Sequence, residues 1–124
     1  MPTFRPNTLY YGDNLMVLRD FPPECVDLIY LDPPFNSNRS YNVLFKEDTG
    51  READAQVQAF EDTWHWGQAN SATWEIYREF VERGTDDARL LEALVKALGH
   101  NDVTAYLTMM APRLVALRRV LKPT

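Results

Sequence analysis

Val26-Asp27-Leu28-Ile29-Tyr30-Leu31-Asp32-Pro33-Pro34-Phe35 is the stretch on which the fold turns. Its first six residues are dominated by β-branched, aliphatic and aromatic side chains, the composition of a buried strand. The run stops abruptly at an acid, two prolines and a ring, so a carboxylate is expected at the C-terminal mouth of that strand. In open α/β sheets that edge is where ligands bind, because the loops leaving the strands form a crevice there. Asp32 and Pro33 each precede a proline, which pushes both towards extended backbone, and neither Pro33 nor Pro34 has an N–H. The Asp32 carboxylate and the Pro33 carbonyl are then two acceptors on a stiff scaffold, a pair that an exocyclic amine with two N–H donors can bridge. Phe35 offers a flat apolar face to the ring carrying the amine.

Working outward, Thr8 to Tyr11 read as a short strand closed by Gly12-Asp13. Asp13 or Asn14 can cap a helix carrying Leu15, Met16, Leu18 and Arg19, which Pro22-Pro23 terminates. Strand, helix and strand follow within about twenty-five residues, the spacing of a βαβ unit with a parallel sheet. At Asp13 two roles stand side by side: a helix cap, and an acceptor at the end of a strand beside that of Asp32.

These residues carry a resemblance. Asp32-Pro33-Pro34-Phe35 resembles the Asp-Pro-Pro-Tyr/Phe motif of amino-directed DNA methyltransferases, and Tyr10-Tyr11-Gly12-Asp13-Asn14 is similar to the strand–Gly–Asp element that precedes it in the permuted, beta-class-like members. The run Asn36-Ser37-Asn38-Arg39-Ser40-Tyr41-Asn42-Val43-Leu44-Phe45 continues the likeness. The four-residue motif also occurs in enzymes that methylate RNA or protein amides; the joined run from about Tyr10 to Phe45, a third of the chain, points to the DNA enzymes.

The resemblance implies an α/β fold: part of a Rossmann-like S-adenosylmethionine-dependent methyltransferase sheet with parallel strands, followed by a mainly helical segment. Residues 1–124 are expected to be the N-terminal part of a catalytic domain, with strand, helix, strand and motif over 7–35, an active-site loop region over 36–70 and helices over 71–122. It further implies methyl transfer from S-adenosylmethionine to adenine N6 in double-stranded DNA, with Asp32, Pro33, Pro34 and Phe35 as catalytic residues and Asp13 and Asp32 against the cofactor. Asp at the first motif position favours adenine over cytosine N4, where Ser is commoner. Partners implied for the intact protein are duplex DNA and, in a restriction-modification setting, a restriction subunit or a second copy. Competing readings are a truncated non-catalytic remnant or interaction module, and a cytosine-N4 DNA or an RNA amino-methyltransferase.

Composition sets bounds. A chain of 124 residues with 45% hydrophobic content suffices for one domain or part of one. Thirteen Lys and Arg against eighteen Asp and Glu give a net charge of -5, the wrong sign for gripping a phosphate backbone unaided. The single cysteine, Cys25, excludes an internal disulfide and fits a small hydrophobe in a reducing compartment. No apolar run is long enough for a bilayer, so a cytoplasmic location without membrane contact is expected.

From Asn36 to Asn70 polar residues intermix with Tyr41, Phe45, Phe60, Trp64 and Trp66, the pattern of a functional loop. Trp64-His65-Trp66 reads either as a stacking platform for a base or, as is commoner, as packing against helices. His65 and His100 lack companions at ligand spacing, so no metal site is expected. Three helices follow. One is capped by Asn70 or Ser71, carries Trp74, Tyr77, Phe80 and Val81 on one face, and ends at Gly84. The next starts at Thr85 with Asp86 and Asp87 in its first turn, an apolar stripe of Leu90, Leu91, Leu94, Val95 and Leu98, and Gly99 as its stop. The last starts near Asp102 with Tyr106, Leu107, Met110, Leu114, Leu117 and Leu121 as its stripe, and Pro112 must kink or split it. Arg113, Arg118 and Arg119 read as a solvated basic face. The five glycines, at 12, 50, 67, 84 and 99, are too scattered for the glycine-rich turn on which such enzymes rest their cofactor. That element is expected beyond Thr124, which makes the chain the N-terminal portion of a longer enzyme.

Overall fold

The structure, a computed structural model, describes residues 4–33 and 64–124. Four helices order them: α1 (Asn14–Arg19), α2 (Ala72–Glu82), α3 (Asp86–Leu98) and α4 (Asp102–Val120). The long α4 is the spine, and α1, α2 and α3 all pack on it, with α2 also against α3.

The parallel sheet expected from residues 8–11 and 26–31 is absent among the described residues, and the Rossmann-like reading of the fold is corrected accordingly. What remains of it is one isolated parallel bridge between Val26 and Leu121. Val26 donates its N–H to the Val120 carbonyl at 3.0 Å and accepts from the Lys122 N–H at 2.9 Å, and the ladder goes no further. A strand holds only while neighbouring backbone satisfies its polar groups, and beyond Val26 no such neighbour is present among the described residues. Apolar side chains of the two expected strands accordingly face solvent: Leu28 is 83% exposed and Tyr30 91% in the stretch expected to be buried, and Leu9 95% in the first. Helix α1 forms where the βαβ reading puts it, but the segments flanking it are not strands.

The helical half follows its local signals. Ser71 caps α2, its hydroxyl facing the Trp74 N–H at 3.5 Å and also donating to the Trp66 carbonyl. Thr85 precedes α3, and its hydroxyl donates to Asp87, whose carboxylate accepts from the Ala88 N–H at 3.0 Å. Gly99 ends α3 at φ 83°, in a region that side chains with a Cβ rarely adopt. Asn101 and Thr104 form a reciprocal capping box at the start of α4.

Pro112 does not split α4, which runs unbroken through it as one 19-residue element. The buried face of α4 also differs from the expected leucine stripe. It consists of Thr104, Ala105, Thr108, Met109, Pro112, Arg113 and Val120, while Leu114 is 48% exposed. On α3 the buried residues are Ala88, Leu91 and Val95, and Leu90 and Leu98 turn outward.

The core joins Trp66, Phe80, Ala88, Leu91, Val95 and Ala105, flanked by Trp64, Trp74, Tyr77, Leu107, Ala111 and Val115. Trp66 is its centre, with ring centroids 4.8 Å from Trp74, 5.4 Å from Tyr77 and 4.7 Å from His100. Its indole N–H donates to the buried Thr104 hydroxyl at 3.0 Å. Trp66 is therefore interior packing and is not available to stack on a base. No helix among the described residues is long and apolar enough to cross a membrane.

Candidate functional site

Two carboxylates carry the site expected from the sequence, and the chain presents them differently. Asp32 is exposed and makes no hydrogen bond or ion pair among the described residues. Its neighbour Pro33 is half-buried and holds the backbone there at a fixed φ. Pro34 and Phe35, the other two residues of the motif, lie outside the described residues, as does the segment from Asn36 to Thr63. The acid thus stands exposed with both oxygens unpartnered, and no sheet edge supports it among the described residues.

Asp13 is built into the helical frame. It is the N-cap of α1, and its Oδ1 accepts from the Leu15 N–H at 2.9 Å. The same oxygen accepts from Arg113 Nη2 at 2.9 Å, reaching across from the middle of α4. Arg113 also donates from Nε to Asn14 Oδ1 at 2.9 Å and from Nη1 to the Met109 carbonyl at 2.6 Å. Arg113 is only 8% exposed, so the expectation of a solvated basic face is wrong for this residue. A buried guanidinium is stable only when its donors are used and its charge is answered, and Asp13, Asn14 and Met109 supply both. The Asp13 side chain remains half-exposed, and its Oδ2 has no partner among the described residues. Beside it Gly12 has a φ of 141°, and a Cβ there would meet nothing within 4 Å. An acceptor oxygen without a partner can receive an N–H or O–H donor.

Two further basic residues near the end of α4 are engaged in the scaffold. Arg119 donates to the Leu18 carbonyl at 2.7 Å, fastening the end of α1 to α4, and Lys122 pairs with Asp27 at 2.7 Å. Cys25 is a free, half-buried thiol whose N–H donates to Val120 at 2.8 Å. His65 Nδ1 lies 2.9 Å from Asp102 Oδ1 in an exposed pair at the start of α4. Among the described residues no three His, Cys, Asp or Glu side chains are grouped as metal ligands would be.

Sequence reasoning missed Arg113, yet a signal was present. Ala105, Met109 and Arg113 recur every four residues, the spacing of one helix face. A charged residue at that spacing marks a buried partner on a neighbouring element, here the cap of α1. No family model matches the chain, and no solved structure matches it.

Proposed function

We propose that the protein is an S-adenosylmethionine-dependent methyltransferase directed at exocyclic amino groups. Within that class the reading favoured by Asp at the head of Asp32-Pro33-Pro34-Phe35 is a DNA adenine-N6 methyltransferase. The structural observation that supports it is the exposed, unengaged carboxylate of Asp32 directly before the rigid Pro33. An acid buried in the core, or neutralised by a neighbouring cation, would leave nothing to receive an amine.

In this reading the Asp32 carboxylate and the Pro33 carbonyl accept one N–H each from the adenine amine. The geometry draws those hydrogens out of conjugation with the ring and frees the nitrogen lone pair. The base must leave the duplex stack to reach them, at a cost of a few kcal/mol. Nitrogen then forms a bond to the methyl carbon as the carbon–sulfur bond breaks, sulfur keeping the electron pair. The surplus proton leaves the new ammonium afterwards, so Asp32 need not be a strong base beforehand. S-adenosylmethionine supplies an activated methyl group, and the chain contributes placement and charge. Asp13 would hold the nucleoside end of that cofactor through its open oxygen.

The test is transfer of labelled methyl from S-adenosylmethionine to duplex DNA, with Asp32→Ala as the variant in the full-length protein. Label in N6-methyladenine that disappears in the variant supports the reading. Label appearing only in RNA or in a protein amide moves the substrate class.

A second reading, a non-catalytic interaction module, is favoured by Leu9, Leu28 and Tyr30, large apolar side chains that are almost wholly exposed. A concentration-dependent change in sedimentation with no methyl transfer would select it.

A further inference from the structure

Helix α1 has six residues, too few to hold itself together in water. Its N-terminus is clamped by a side chain a hundred residues further along the chain, Arg113. The guanidinium spends Nη2 on Asp13, Nε on Asn14 and Nη1 on the Met109 carbonyl of its own helix. Oδ1 of Asp13 accepts from both the Leu15 N–H and Arg113, which restrains the carboxylate, while the side chain stays 51% exposed and Oδ2 has no partner among the described residues. A cap alone would hold Asp13 by one neutral donor; the clamp adds a charged donor on a buried, rigid stem.

We propose that Arg113 is a positioning residue, which presents the free oxygen of Asp13 to the ribose hydroxyls of a bound nucleoside. The inference rests on the methyltransferase reading for the identity of that nucleoside. Arg113 touches no ligand itself and acts through Asp13. An acceptor aligned beforehand loses less freedom on binding, so its contribution shows as discrimination between a ligand with hydroxyls and one without. A hydrogen bond to a charged acceptor corresponds to about tenfold or more in affinity.

The experiment is calorimetric titration of the full-length protein with S-adenosylhomocysteine and with its 2′,3′-dideoxy analogue, for the wild type, Arg113→Lys and Asp13→Asn. The wild type is expected to prefer the hydroxyl-bearing ligand by about tenfold or more. Arg113→Lys keeps the charge and loses the fork, and is expected to bring that preference to within about twofold, as does Asp13→Asn. If Arg113→Lys weakens both ligands equally and the preference persists, Arg113 is a structural tie and the proposal is overturned. If the wild type binds neither ligand, the methyltransferase reading falls, and this proposal with it. A measurement on the unmodified chain removes dependence on whether the variants fold. The Arg113 Nε–H resonance should shift on adding the hydroxyl-bearing ligand and stay in place with the dideoxy analogue; an equal response to both overturns the proposal.

Discussion

Replacing Thr104 by Val should be one of the most destabilising near-isosteric changes in the helical frame. The Thr104 hydroxyl is fully buried and uses its whole capacity: it donates to the Gly99 carbonyl at 2.7 Å and accepts from the Asn101 N–H and the Trp66 indole N–H, each at 3.0 Å. Valine fills the same space and returns none of these bonds. The indole donor suffers most, since Trp66 is 7% exposed and water cannot replace the lost acceptor. An unsatisfied buried donor costs about 1–3 kcal/mol, and the loosened capping box adds to it, against a smaller gain from burying a methyl. The expected net loss is about 2–4 kcal/mol. In urea unfolding followed by tryptophan fluorescence, that is a fall in midpoint of about 1–2 M at a slope near 2 kcal/mol/M. Adding Trp66→Phe, which removes the stranded donor and keeps most of the ring, should make the double variant less unstable than the sum of the two single ones. A Thr104→Val midpoint within about 0.25 M of the wild type would refute this account of how the loop before α2 is anchored to α4.

Other outcomes follow from the same frame. The hydroxyl of Thr108 is buried with no hydrogen-bond partner among the described residues, so Thr108→Val should be neutral or stabilising by about 1 kcal/mol in the same titration. Leu28→Ser and Tyr30→Ser should each change stability by less than about 0.5 kcal/mol, because both side chains already face water; losses of about 2–3 kcal/mol would mean that they are buried after all. The hydrogen bond from Thr85 holds the Asp87 carboxyl below the ordinary carboxylate range. The folded chain therefore binds that proton less readily than the unfolded one, and the stabilisation is present above about pH 4 and lost as pH falls through the lower folded value. Asp87→Asn should accordingly lower the melting temperature at neutral pH by an amount that shrinks towards nothing as the pH is taken below that range.

The helical half was largely legible because its signals are local. Ser71, Thr85 and Gly99 punctuate α2 and α3 where their side chains or their freedom of φ are needed, and the period of Leu91 and Val95 gives one face of α3. The sheet was not legible in the same sense. Residues 26–31 have the composition of a strand, but a strand is a relation to a second backbone, and among the described residues Val26 finds that relation only at Leu121. Arg113 shows the opposite failure: charge alone suggests solvent, while its position four residues after Met109 on the packed face of α4 makes it interior. At the candidate site, Asp13 as a cap was readable from Gly12-Asp13-Asn14. Its clamp by a residue a hundred positions away was not, because nothing local in either segment names the other.

The most direct test of the central claim is labelled-methyl transfer to duplex DNA by the full-length protein and by its Asp32→Ala variant, with circular dichroism confirming that the helices are intact. The account predicts N6-methyladenine in the wild-type reaction and none in the variant, at equal helical signal, because Asp32 is exposed and carries no packing. Methylation that survives the loss of Asp32, or a wild-type protein that transfers no methyl group to DNA, would contradict it.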